Sequence, residues 1–450
     1  MPLDALDFDP DTVRAHLEPL GRSPCLLGLS GGGDSMALLL MAASWARQNN
    51  IQLIPVIIDH GLREESAKEA EFAAQRAREL GLSPQIIRWN DDKPTTGLQA
   101  AARAFRLRTF ARVAHEMGAK TLLLGHTQDD QAETVWMRIQ AGGGPDALAG
   151  MSMFSPLPLW PQGRGISIFR PLLATTRSEL RAWLVQQGEI WVDDPSNESR
   201  AYTRIRNRQT LAQLSSDGFD VASLCATANK FRAVKQKTAE TAAQIFLQSA
   251  TLLPWGGLML EPLALEKNTD PPALRVLDAA RAAASGDPVP RPDAAKRILA
   301  ALRDKKAVTA GGAALTYHKG NWYLVRDPGA ISGRADKSAK TVNSVNVGSR
   351  HIWDGRFAIP DAASVVTPLG KVYHDEIKAE SLSVIPALAR PGLPVIRLEG
   401  QNTGIPGLSP RSDGMAQSLA VELVCRNLFE DRPPTWFDTQ LREQTAQGSH

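Results

Sequence analysis

The chain has 450 residues, 43% of them hydrophobic and 22% charged, which is too long for one ordinary core and leads to an expectation of two or three domains. A net charge of +3 and a sequence pI near 8.7 permit a nucleic-acid partner without requiring one. The longest apolar run, 36–43, is too short to span a bilayer, and the acidic start with Asp4, Asp7, Asp9 and Asp11 lacks the form of a secretory signal, so a cytoplasmic protein with no membrane partner is expected.

The first half alternates short apolar runs with longer amphipathic ones, the pattern of an α/β fold with a parallel, Rossmann-like sheet. Strands are predicted over 24–29, 52–59, 85–89 and 120–125. Helices are predicted over 36–47, 64–80 (stopped by Gly81) and 98–117 (stopped by Gly118), and another opens at Thr176-Arg177-Ser178-Glu179, which has capping-box form. From about residue 217 the pattern turns helical, ending with 293–305. A hairpin follows, 313–318 and 322–325, turning at Lys319-Gly320-Asn321. Residues 332–340 are small, charged and aperiodic, like a linker. Beyond them Trp353-Asp354-Gly355-Arg356 suggests a second hairpin, and five prolines between 360 and 394 cut the remainder into short pieces. The expected domains are 1–215, the α/β unit; 216–331, mostly helical and ending in the hairpin; and 341–445, small and β-rich.

The most informative string is Ser30-Gly31-Gly32-Gly33-Asp34-Ser35, placed between the first strand and its helix. Three glycines let backbone N–H groups approach a ligand, and the helix start adds partial positive charge, so phosphate is the natural guest. The string lacks the Walker lysine and the G-x-G-x-x-G of dinucleotide binders. It resembles the PP-loop of ATP pyrophosphatases, which implies release of pyrophosphate as AMP is transferred. Asp59-His60 and His126 also fall at the ends of predicted strands, where ligands bind in open α/β sheets.

A second string, Gly125-His126-Thr127-Gln128-Asp129-Asp130-Gln131-Ala132-Glu133-Thr134, follows the fourth strand and opens a helix. Asp129, Asp130 and Glu133 share one face of its first turn. They suit Mg²⁺ beside a triphosphate or the ammonium of an amine substrate; the blander alternative is that Asp129 caps the helix and Glu133 complements its dipole. Arg103 and Arg106 lie at i and i+3 on the 98–117 helix, where a guanidinium fork suits an adenylate, a tRNA phosphate or a surface ion pair. Arg200, Arg204, Arg206 and Arg208, with Tyr202, form a basic stripe suited to phosphate contact, or a solvated helix face.

These strings, with Asp59-His60-Gly61-Leu62, Gly142-Gly143-Gly144-Pro145 and Asp194-Pro195-Ser196-Asn197, occur in the order and approximate spacing of tRNA(Ile)-lysidine synthetases. The resemblance covers about 24–208, extends to the Asn321-Trp322-Tyr323-Leu324-Val325 hairpin, and is loose beyond 332. It implies ligation of L-lysine to the wobble cytidine of an isoleucine tRNA with a CAU anticodon, through an adenylated cytidine, changing codon reading from AUG to AUA. By the same resemblance, Ser30, Gly31, Gly32, Gly33, Asp34, Ser35, Asp59 and His60 bind ATP, with Asp34 near the metal; from its place in the acidic turn, Asp129 is the second candidate for Mg²⁺. Asp130 and Glu133 receive the lysine, Arg106 stabilises the transition state, His126 positions, and Arg103, Arg200, Arg204, Arg206 and Arg208 contact tRNA. A homodimer is left open.

Two departures stand out. The second string has one histidine where the family often has two, and Ala141-Gly142-Gly143-Gly144 lacks the family's arginine. Asp194 and Asn197 are expected to order their turn. A sulfur-inserting PP-loop enzyme would need a placed thiolate, and of Cys25, Cys225 and Cys425 only Cys25 is a candidate for the crevice, at the start of a predicted buried strand. An amidotransferase-type synthetase would need a glutaminase cysteine near the chain start, where Pro2 stands instead. A non-catalytic RNA binder would not need the acidic pair.

Overall fold

Along the first strand, side chains alternate between two cores. Cys25, Leu27 and Leu29 pack on one face and Leu26 on the other; in the second strand Leu53 and Ile57 share the first face while Ile54 and Val56 share the second. Apolar residues on both faces demand helices on both sides, because each leucine withdrawn from water contributes roughly 1.5–3 kcal/mol.

The computed structural model describes residues 8–61, 65–192, 203–267, 270–332, 344–347, 350–360, 363–370, 382–398, 404–408, 416–429 and 435–447. The chain divides into two units, 1–159 with 163–235, and 160–162 with 236–450. In the first unit the sheet comprises β1 (Cys25–Gly28), β2 (Leu53–Asp59), β3 (Gln85–Arg88), β4 (Thr121–Leu123), β5 (Phe154–Pro156) and β6 (Ser167–Phe169), in the order β3-β2-β1-β4-β6-β5. All neighbours are parallel except β5, which pairs antiparallel to β6 at the edge. The first four strands fall within the predicted spans; β5 and β6 are too short to be legible as periodic segments.

The helices of this unit are α1 (Pro10–Leu17), α2 (Gly33–Gln48), α3 (Ser66–Glu79), α4 (Leu98–Glu116), α5 (Gln128–Gln140), α6 (Pro145–Leu148), α7 (Arg177–Gln186) and α8 (Thr203–Ser216). Buried residues of α1, α2, α3 and α7 share a core with Leu27 and Leu123, whereas Phe110, Val113 and Ala114 of α4 pack with Leu26 and Leu122. The strand order reverses between β1 and β4, the position at which doubly wound sheets open a crevice at their carboxyl ends. The loops to α2 and α5 leave from those two strands.

A long helix, α9 (Ala222–Ser249), belongs to the first unit up to Lys235 and to the second from Gln236; the second unit continues with a five-stranded antiparallel sheet, β7 (Ala250–Leu252), β8 (Leu258–Leu260), β9 (Val308–Ala310), β10 (Ala313–His318) and β11 (Asn321–Arg326), ordered β7-β8-β11-β10-β9. Between its strands lie α10 (Pro262–Glu266), α11 (Asp270–Ser285) and α12 (Pro292–Arg303), and Val276, Ala280, Ile298 and Leu302 join Leu258, Leu315 and Leu324 in one core. The predicted β10–β11 hairpin forms, but Asn321 belongs to the strand, leaving Lys319 and Gly320, both at positive φ (47° and 88°), as a two-residue turn of the twist that hairpins favour. The second hairpin is also present: Arg350–Trp353 pairs with Phe357–Pro360 across Asp354 and Gly355. The remaining described elements include Ser344–Val347, Ala363–Pro368 and Pro394–Leu398, so the last part is β-rich, closed by the helices Ala420–Leu428 and Thr435–Gln447. Residues 333–340 of the expected linker lie outside the described residues.

Candidate active site

The turn from β1 into α2 is built around Ser35. Its Oγ donates to Gly32 O (2.9 Å), accepts from Ser30 N (3.2 Å) and lies 3.0 Å from Ser30 Oγ, so one buried hydroxyl fixes both ends of the loop. Gly31 takes φ +82°, a conformation that a residue with a Cβ rarely adopts. Helix α2 then begins after Gly32 with no side-chain cap, leaving its first N–H groups for an anion. Val192 N donates to Gly31 O (2.9 Å) and the Trp191 indole packs against Gly33, tying the segment before 193 to this loop. Gly125, after β4, approaches from the other side: a Cβ there would meet Asp34 O at 3.0 Å.

Thr127 caps α5 and forms a capping box with Asp130, whose Oδ2 accepts from Thr127 N (2.9 Å) and from Thr127 Oγ1 (3.1 Å). Asp129 does not cap α5; its Oδ2 accepts from Arg177 N at 2.8 Å. The cap two residues earlier positions Asp130 and Glu133 inward, and both are buried.

The residue that joins these parts is Arg177, which in the sequence stands out only as part of a capping box. That box is present, with Thr176 N donating to Glu179 Oε2 at 2.7 Å. Arg177, first residue of α7, donates through Nε to Asp34 Oδ2 (3.2 Å), through Nη1 to Glu133 Oε1 (3.0 Å) and through Nη2 to Asp130 Oδ1. One signal was available. A cation in the first turn of a helix opposes the helix dipole, so an arginine there calls for carboxylates from elsewhere.

Arg208 Nε donates to the same Glu133 Oε1 at 2.8 Å, which turns this member of the basic stripe toward the acidic cluster. Arg206 is exposed on α8; Arg204 lies on α8, and Arg200, Asp194 and Asn197 lie outside the described residues. Burial raises the Asp34 carboxyl above its ordinary pKa; Arg177 opposes that shift and the Asp130 charge adds to it. Burial by itself would lower the Arg177 pKa, but the Asp130 and Glu133 carboxylates outweigh it and the net shift is upward.

The loop after β2 is organised differently. Asp59 is buried and orders its own turn, accepting through Oδ1 from Gly61 N (2.8 Å) and Ser66 Oγ (2.7 Å), while Arg88 Nε stands 3.6 Å from its Oδ2. His60 meets Trp89 edge to face at 6.0 Å, and Trp89 stacks on Phe105 at 5.5 Å. Burial, then the nearby Arg106 guanidinium, depresses the His60 pKa. Arg103 and Arg106 are both exposed on α4, Arg106 within electrostatic reach of His60. His126 is half-buried between β4 and α5, its N–H bonded to Leu124 O at 2.9 Å.

The PP-loop domain family matches residues 10–215. The tRNA(Ile)-lysidine synthase of Caulobacter vibrioides is 32% identical over 438 residues, 94% of this chain and 96% of that protein. The chain belongs to the tRNA(Ile)-lysidine synthase family. It is thereby an ATP-using ligase with a PP-loop catalytic unit. The Methylobacterium nodulans member is 38% identical over 319 residues, 69% of this chain and 90% of that protein. A Bradyrhizobium member is 41% identical over 208 residues, which cover 46% of this chain and 56% of its own length. Among solved structures, the U34-tRNA thiolase NcsA from Methanococcus maripaludis with its [4Fe-4S] cluster overlays with a TM-score of 0.42 and 19% identity, covering 50% of this chain and 77% of that one. No helix among the described residues is long and apolar enough to cross a membrane.

Proposed function

We propose that the enzyme ligates the ε-amine of free L-lysine to C2 of the wobble cytidine in an isoleucine tRNA bearing the CAU anticodon. The cytidine O2 attacks the α-phosphorus of ATP; an O–P bond forms, the bond from the α-phosphorus to the oxygen bridging it to the β-phosphorus breaks, and pyrophosphate leaves with that oxygen. The neutral lysine amine then attacks C2, and AMP departs with the electrons of the C–O bond. The resulting base pairs with adenine in place of guanine, so AUA is read instead of AUG.

The observation that carries this reading is the meeting of an uncapped α2 start and Asp34 with the buried Asp130 and Glu133 where the sheet order reverses. Backbone N–H groups of the loop suit the pyrophosphate, and the carboxylates suit an ammonium that is stored charged and must shed a proton. Asp130 and Glu133 are the proposed lysine acceptors. Arg106, with His60, is proposed to face the nucleotide, and Arg103, Arg206 and the rest of the basic stripe to face tRNA phosphate.

The donor set fits Mg²⁺ in the form that cation prefers beside triphosphates, one or two carboxylates completed by phosphate and water. Asp34 and Asp129 are the residues that would hold it; there it would neutralise phosphate charge. Among the described residues no group of three or more His, Cys, Asp or Glu forms a closed cage.

Sulfur transfer is disfavoured by the cysteines. All three are buried, and burial pushes the Cys25 and Cys225 thiols up to about 11 and Cys425 up to about 12, the opposite of a reactive thiolate. The test is incubation with ATP, Mg²⁺, labelled lysine and unmodified isoleucine tRNA with a CAU anticodon. Label must enter the tRNA with release of AMP and pyrophosphate; entry only with a sulfur donor, or RNA binding without ligation, refutes the reading.

A further inference from the structure

The lysine-accepting carboxylates are already occupied by a cation of the protein itself. The Arg177 guanidinium bridges Asp34, Asp130 and Glu133, elements α2, α5 and α7 thereby meeting in one ion cluster, and Arg208 of α8 reaches the Glu133 oxygen that Arg177 also uses. The centre of the cluster is shielded, the side chains of Glu133, Asp130 and Arg177 being 3%, 10% and 18% exposed, while Asp34 and Arg208 at its edge are 26% and 37% exposed. Asp129 anchors the backbone of Arg177 rather than its head, so the guanidinium can shift among the three carboxylates while α7 stays in place.

To reach both Asp130 and Glu133, the ammonium of an incoming amine must take a place that the Arg177 guanidinium fills. A guanidinium left beside it also favours the neutral amine, because a neighbouring like charge disfavours the protonated form.

Resting on the lysine-acceptor reading above, we propose that Arg177 is a positioning residue that holds Asp130 and Glu133 apart from one another's charge in the empty site and yields them to the incoming amine. It thereby weakens amine binding and promotes release of the amine's proton. Such a residue acts oppositely on affinity and turnover, unlike one that merely supports the fold.

The experiment measures lysine ligation by the full-length enzyme, with saturating ATP and CAU-bearing tRNA, for the parent, Arg177→Gln and Arg177→Lys. Without the competing guanidinium, Arg177→Gln is expected to lower the KM for lysine about tenfold and to lower kcat about a hundredfold, since the amine is then held tightly in its charged form. Arg177→Lys, whose single ammonium serves one carboxylate at a time, is expected to lower KM several-fold while recovering most of kcat. Should Arg177→Gln fail to fold, Arg177→Lys decides by the same two parameters. A lysine KM that rises or stays within twofold of the parent's in the folded variants overturns the proposal. Failure of the parent enzyme itself to incorporate lysine overturns the acceptor reading, and this proposal with it.

Discussion

Arg177 Nε donates to Asp34 Oδ2 at 3.2 Å, which fastens the first turn of the helix after β1 to the first turn of the helix after β6. Asp34 thus sits between the phosphate loop and the acidic cluster. Replacing it with Asn should abolish adenylation by roughly 10²–10³-fold, the scale seen when one preorganised charge is removed from an active site. Release of labelled pyrophosphate in the presence of tRNA measures this, and turnover within tenfold of the parent's would remove Asp34 from the nucleotide site.

The same residue makes a stability prediction of opposite sign. Burial raises the Asp34 pKa, so the folded protein binds a proton there more tightly than the unfolded chain. Stability contributed by that proton is present below the ordinary carboxylate pKa and falls as pH rises through the raised one. Asp34→Asn should therefore unfold no earlier than the parent at pH 7, with the difference narrowing as the pH falls into the carboxylate range. Thermal melts at several pH values check this; a variant clearly less stable at pH 7 would contradict it.

Asp130 and Glu133 differ in what else they do. Asp130 also closes the α5 capping box, whereas the Glu133 carboxylate accepts from Arg177 and Arg208. Both Asp130→Asn and Glu133→Gln should raise the lysine KM, by about 10–10²-fold, and leave pyrophosphate release much less affected. Only Asp130→Asn should also cost fold stability, about 0.5–2 kcal/mol for a weakened cap. Rates with unchanged dependence on lysine concentration would take these residues out of that role.

Gly125 tests the packing of the crevice wall. An added Cβ would stand 3.0 Å from Asp34 O and 3.1 Å from its carbonyl carbon, rigid backbone that cannot rotate away. Gly125→Ala should raise the KM for ATP severalfold and destabilise by about 1–3 kcal/mol. At Gly28 the nearest atom is Leu124 Cδ2, at 2.7 Å, a side-chain end that can move. Gly28→Ala is expected to leave the ATP KM nearer the parent's; equal effects at the two sites would refute this account.

The buried thiols give a final check. Native Cys25, Cys225 and Cys425 should react with iodoacetamide at pH 7.5 far more slowly than in the unfolded chain, since burial holds each thiol protonated. Rapid alkylation of Cys25 in the folded enzyme, accompanied by loss of activity, would reopen the sulfur-transfer alternative.

Much of this protein follows from local sequence. A glycine turn between an apolar run and a helix specifies the phosphate loop, because backbone approach and a helix start are properties of consecutive residues. The first four strands, the Thr176–Glu179 capping box and the Lys319-Gly320 hairpin turn are legible for the same reason. Tertiary structure alone decided the partnerships. Arg177 lies 143 residues beyond Asp34 and 44 beyond Glu133, and nothing in its own neighbourhood names those carboxylates. They meet because β1, β4 and β6 are brought side by side around the reversal in strand order. An ion cluster assembled from three separate loops is set by sheet topology, and topology is a property of the packed chain.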